Sequence, residues 1–176
     1  MIAAVVLAAG AASRFGASKQ GLLLPRVLDR LAQSPVDEVV VVQGAHELGP
    51  HGHARIVRCP HWERGPGASL RCGLAALGPG VEAALVCLAD GPNLSPQAVR
   101  RVLEAWRTGA GPVVAASYAG ARGHPLVLGR SAWGAVPDEG LRALPAVLVP
   151  CDDLGTPGDV DVADDLGRLE PPLAEN

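Results

Sequence analysis

Apolar positions in this chain come in two patterns. Short continuous runs occur at Ile2–Ala8, Val39–Val42, Arg55–Val57, Ala83–Leu88, Val113–Tyr118, Leu126–Leu128 and Ala146–Val149. Between several of them the spacing turns helical: over Leu22–Gln33, over Ala68–Leu77 with Leu70, Leu74 and Leu77 at i, i+4, i+7, and over Ala163–Leu169. Ser95-Pro96 starts another helix, a hydroxyl N-cap followed by proline at the first helical position, which runs to about Trp106. Pro25 is tolerable only near the first turn of its helix. Strands that are apolar throughout, and not alternating, are covered on both faces, so the pattern predicts a single α/β domain with three layers, α/β/α, around a mostly parallel sheet. It covers residues 1–170, with a tail at 171–176 expected to be disordered. In such sheets ligands gather beyond the carboxyl ends of the strands, so the loops after Ala8, Leu88 and Tyr118 are where chemistry is expected.

Composition narrows the options. The chain has 176 residues, 48% hydrophobic and 19% charged, with a net charge of -3. That balance supports a sizeable core and argues against nucleic acid as a partner bound through bulk charge. Aromatic residues make up only 3%, which leaves the core to aliphatic side chains and alanine. The apolar start, Met1–Gly10, lacks a basic region and is too short to span a bilayer, so it reads as a buried strand and no membrane partner is expected. Cys59, Cys72, Cys87 and Cys151 form no CxxC pair, and a disulfide framework is not expected at this length. Cys72 and Cys87 read as small core residues, and the expected compartment is a reducing cytoplasm. One bias stands out: of 15 basic residues, Lys19 is the single lysine.

Lys19 ends the loop that follows the first strand, Leu7-Ala8-Ala9-Gly10-Ala11-Ala12-Ser13-Arg14-Phe15-Gly16-Ala17-Ser18-Lys19. Its small residues let the backbone approach a ligand and present successive N–H groups to an anion, and Arg14 and Lys19 add two cations. The alternative is a plain turn with solvated cations. The glycine spacing fits neither a P-loop nor GxGxxG.

That loop resembles the LAAG…R-M/F-G-x-x-K signature of nucleotidyltransferases, and within them the molybdenum cofactor cytidylyltransferase/guanylyltransferase group. The resemblance continues through Trp62-Glu63-Arg64-Gly65…Ser69-Leu70, Leu88-Ala89-Asp90-Gly91-Pro92, Gly120-Ala121-Arg122-Gly123-His124-Pro125, Asp138-Glu139-Gly140-Leu141-Arg142 and Asp159-Val160-Asp161, in the family's order. It departs at Gln20–Arg26, shorter than the family's corresponding stretch, and at Val162-Ala163, which replaces Thr-Pro.

The resemblance implies a Rossmann-like fold of the GT-A-like nucleotidyltransferase kind. The implied activity is Mg²⁺-dependent transfer of CMP or GMP from CTP or GTP to a phosphorylated small-molecule acceptor, molybdopterin being the one expected, with release of pyrophosphate. Arg14 would hold the β- and γ-phosphates and Lys19 the α-phosphate. The backbone of Leu7, Ala8, Ala9 and Gly10 would read the base, with Gly65 and Ser69 completing its pocket. Asp90 suits an oxygen-ligated cation, or else is an Asx-turn aspartate. The second carboxylate would be Asp161 or Asp159. His124 is either near the acceptor or a strand-edge histidine in a tight turn; Arg142 either meets an acceptor phosphate or lies on a helix surface. His46, His51, His53 and His61 are too loosely spaced for a closed zinc set and read as a solvated loop. Two other readings stay open: a sugar- or polyol-phosphate nucleotidyltransferase, and a nucleotide-binding accessory protein without turnover.

Overall fold

The computed structural model describes residues 1–10 and 19–158, with side chains from residue 22 onward in the second stretch. Among these residues, which leave out the expected helix at Ala163–Leu169, are seven strands, β1 (Ile2–Ala8), β2 (Glu38–Gln43), β3 (Arg55–Arg58), β4 (Ala83–Leu88), β5 (Val113–Tyr118), β6 (Ala121–Gly129) and β7 (Val147–Pro150). Three α-helices join them: α1 (Lys19–Ala32), α2 (Pro66–Ala75) and α3 (Pro96–Arg107). The strands form one sheet in the order β3-β2-β1-β4-β6-β5-β7. All pairs are parallel except those of β6, which runs antiparallel to both β4 and β5.

The apolar runs become strands because each is sealed on two faces. Along β1, Ile2, Ala4, Val6 and Ala8 face one core, which also holds Leu24, Val27 and Leu31 of α1 and Val99, Val102 and Leu103 of α3. Ala3 and Val5 face the other, with Leu70 and Leu74 of α2. The three layers follow from this alternation. β1 lies at the switch of strand order, since the chain turns from β1 to β2 on one side and returns to β4 on the other. Ligands collect outside the carboxyl ends of such a pair. The two edge strands have four residues each, short enough to discourage further pairing.

Ser95 caps α3 as its sequence predicts, its hydroxyl accepting from the Ala98 N–H at 3.3 Å, with Pro96 next. Three elements differ from the sequence pattern. Helix α1 starts at Lys19 and not Leu22, so Gln20–Arg26 forms its first turns and Pro25 lies inside it. The burial of Leu23, Leu24, Val27 and Leu31 against the sheet offsets the hydrogen bond that proline cannot make. Second, the Gly-His-Pro segment is part of β6, which starts five residues before the apolar run. Third, Cys59 and Cys72 form a disulfide with Cα atoms 5.6 Å apart. Cys72 is therefore no separate core residue, and the scattered cysteines no longer argue for a reducing compartment. The folding of α2 over the end of β3 brings the two together, which linear spacing does not reveal. Among the described residues no helix is long and apolar enough to cross a membrane.

Candidate active site

A cavity of about 840 Å³ opens at the carboxyl ends of β1 and β4. Leu7 and Leu88 line it from these strands, and Arg122, His124 and Arg142 line its far side. That volume suits a small organic ligand.

β6 delivers the polar groups from an unexpected direction. Its antiparallel course pairs Val86 with Leu126, so the residues before Leu126 continue past β4 toward the site. Between the pairs Ala115–Leu126 and Ser117–Arg122 the ladder breaks, leaving Gly123, His124 and Pro125 opposite Ala116 alone. Such a bulge re-aims side chains, and it accommodates Pro125, which has no N–H for the ladder. The hairpin before it closes through Ala119 and Gly120, both at positive φ (50° and 77°), the geometry of a tight two-residue turn. The backbone N–H of Ala119 donates to the carboxylate of Asp152.

His124 is pushed down to about 4 by enclosure first and by the nearby charges of Arg122 and Arg142, against the pull of Asp90. It is a neutral imidazole near pH 7. Tyr118 donates from its hydroxyl to the His124 carbonyl at 3.1 Å, and burial pushes that phenol up to about 12. The Nη1 of Arg122 donates to the Leu144 carbonyl at 2.6 Å. Arg142 is exposed, on a short 3₁₀ turn, Leu141–Ala143. Cys87 also lines the cavity; burial raises its thiol to about 12, so it stays protonated and unreactive.

Asp90 is half-buried, two residues after β4, between the cavity-lining Leu88 and Gly91. Its carboxylate is an oxygen donor of the kind hard divalent cations take. Asp159 and Asp161 lie outside the described residues, as does Arg14; Lys19 opens α1, and its side chain is likewise not described. Among the described residues no group of three His, Cys, Asp or Glu is placed to hold a metal, His46, His51, His53 and His61 included.

On the nucleotide side, the carbonyls of Leu7 and Ala9 accept from Ala89 and Ala45, at 3.0 and 3.4 Å, which fixes the strand end. Ser69 is buried in α2. Gly65 has φ +129°, and a Cβ there would overlap the Asp138 carbonyl oxygen; at Gly67 it would overlap the Pro137 carbonyl oxygen. The Gly67 N–H donates to the Asp138 carbonyl at 3.0 Å. These glycines therefore serve contact between α2 and the Pro137–Asp138 segment. The Asp138 carboxylate accepts from Arg71 and, at 2.8 and 3.1 Å, from Arg64, and both hold its carboxyl below the usual carboxylate range. Sequence reasoning gave Asp138 and Arg122 no role. Both sit inside quoted motifs, but only the fold shows that one clamps α2 and the other lines the cavity.

A doubly wound sheet with its cavity at the switch between β1 and β4, flanked by a strand-end aspartate and a set of cationic and imidazole groups, is the arrangement of a nucleotidyltransferase. Residues 4–149 match the MobA-like NTP transferase domain, and the chain belongs to that family. It is similar to Rv0371c from Mycobacterium tuberculosis H37Rv, with 27% identity, 95% of this chain and 96% of that chain covered, and a TM-score of 0.76. A second structure of Rv0371c, in complex with manganese, matches at 26% identity with the same coverage and a TM-score of 0.69. A nucleotidyl transferase from Methanothermobacter thermautotroptrophicus, Mth528, shares the fold at 22% identity, with 96% and 95% covered and a TM-score of 0.72. No curated protein matches the chain.

Proposed function

We propose that this chain transfers CMP, in preference to GMP, from CTP to a phosphorylated acceptor, with molybdopterin the acceptor favoured, in a single domain over residues 1–170. The observation that carries the reading is the cavity itself: one side is lined by Leu7 at the end of β1, the other presents Arg122, His124 and Arg142. A nucleotide and an anionic acceptor can meet there with reacting atoms in line. An acceptor phosphate oxygen forms a bond to the α-phosphorus, the bond from that phosphorus to the β-bridging oxygen breaks, and pyrophosphate leaves with the electron pair. Such transfer needs positioning and charge compensation more than covalent help.

The roles follow from the loop and its resemblance. Arg14 engages the β- and γ-phosphates, Lys19 follows the α-phosphate, Leu7–Gly10 read the base, and Gly65 and Ser69 close its pocket. Asp90 with Asp161 or Asp159 would hold Mg²⁺, which when bound neutralises phosphate charge; the manganese in the Rv0371c structure supports a divalent cation at such a site. His124 and Arg142 face the acceptor. The Ala9 methyl crowds a purine more than a pyrimidine, which favours CTP. A charged nucleotide as substrate places the reaction in the cytoplasm, where the Cys59–Cys72 pair would meet reducing conditions.

Pyrophosphate release tests this. With CTP, Mg²⁺ and molybdopterin the chain should turn over; with sugar or polyol phosphates it should not. Tighter binding of GTP than CTP would sink the base preference. Asp90→Ala should lower kcat about a hundredfold or more, in line with the loss of a group acting directly on transition-state charge. A fully active Asp90→Ala variant overturns the metal assignment.

A further inference from the structure

The cavity's far side holds one group whose state calls for an explanation. Nη2 of Arg122 is buried and has no hydrogen-bond partner among the described residues. Nη1 of the same guanidinium is tied to the Leu144 carbonyl at 2.6 Å. A buried donor on a charged group that bonds nothing is costly, and folded proteins seldom keep one without a use. Burial accordingly lowers the arginine from its ordinary value.

We propose that Arg122 is the anchor for the acceptor's anionic group: its Nη2 is kept for an oxygen of a phosphate monoester bound in the cavity, while Nη1 holds the guanidinium in place through Leu144. The inference rests on the nucleotidyl-transfer reading and names the residue that receives the second substrate.

Four features agree. Arg122 lines the cavity, and a planar guanidinium held at one nitrogen can turn its other N–H groups to a phosphate by a small rotation about its terminal bonds. The register pairs it with Ser117 at the start of the bulge that also turns His124 to the site. Its strand stands apart from β1: β6 neighbours β4, which neighbours β1, so about 10 Å of sheet lies between the two strands. The groups around it suit an anion, since Arg142 is cationic, His124 is neutral near pH 7 in spite of Asp90, and the one acid among the described residues that line the cavity, Glu139, is exposed. The remaining lining includes Leu70, Leu88, Leu94, Leu126, Leu141 and Tyr118. The ligand class is therefore a phosphate monoester on a compact body with an apolar or ring face.

Titration calorimetry on the full chain, first saturated with CTP and Mg²⁺, tests this with inorganic phosphate and phenyl phosphate as probes. Saturation with nucleotide keeps the probes off the triphosphate loop. Wild type should bind both, phenyl phosphate more tightly. Arg122→Gln should weaken both at least tenfold and leave CTP affinity within twofold, and Arg122→Lys should fall between. Arg122→Met should lose the anion and keep or raise the melting temperature, because an unpaired buried charge is removed. Unchanged phenyl phosphate binding in Arg122→Gln overturns the proposal. So does a lowered melting temperature in Arg122→Met with anion binding retained, the signature of a strut. No probe binding by wild type at all also overturns it. A wild type that binds phenyl phosphate but never CTP leaves the anchor standing and sinks the transfer reading instead.

Discussion

His124 and Arg122 are two residues apart on β6, and enclosure acts on them with different results. The arginine stays charged and keeps a donor unpaired; the histidine gives up its proton. Because the folded His124 titrates at about 4 against an ordinary 6.5, the unfolded chain takes up a proton between those values while the folded chain does not. Stability from this site is therefore full above about pH 6.5, falls as pH drops toward 4, and loses nothing more below. Urea midpoints across that window should show the slope, and His124→Asn should flatten it; an unchanged slope would mean that His124 is not the group responsible. Much at this scale is legible in the chain. The small-residue loop, the strand-end Asp90 and the Gly-His-Pro segment all mark themselves by residue type. Arg122 does not, because its importance lies in a missing partner, and only the packing around Leu144 and the cavity reveals that.

Among the elements, α2 depends on a contact that its own sequence half discloses. Its apolar spacing predicts a helix from Ala68, and the helix starts two residues earlier, with Pro66 at the first helical position. What it does not disclose is that Gly65 and Gly67 meet the backbone of Pro137 and Asp138, some seventy residues away. Gly67→Ala should cost about 1–3 kcal/mol by overpacking that junction, measured by urea denaturation. It should also weaken CTP binding, since the first turns of α2 carry Ser69; a variant as stable as wild type would show that the segments can part freely. The bulge in β6 is illegible for a related reason. Apolar periodicity marks Leu126–Leu128, the half of β6 that lies in the core, while the polar half before it looks like a turn until the partners β4 and β5 are known. The early start of α1 is hidden by Pro25, which local rules exclude from a helix interior and tertiary burial allows.

For the molecule as a whole, layer architecture and mostly parallel sheet follow from apolar runs alone, since a strand without alternation has to be covered twice. The disulfide does not follow. It joins residues 13 apart, closing a loop small enough that its loss should lower stability by about 3 kcal/mol in the chain-entropy account. Denaturation with and without dithiothreitol, with Cys59→Ser as a control that reductant no longer affects, checks this; no difference would mean the two sulfurs are not bonded in solution. The sheet order also sets a timetable for synthesis. β1 is an inner strand, between β2 and β4, yet its register joins Ile2 to Ala83, 81 residues further along. At cellular elongation rates of about 5–20 residues per second, roughly 4 to 16 seconds pass between the two. Throughout that interval a wholly apolar strand has made at most one of its two edges safe. The nascent chain is thus exposed to aggregation through a segment that, once folded, is almost wholly buried.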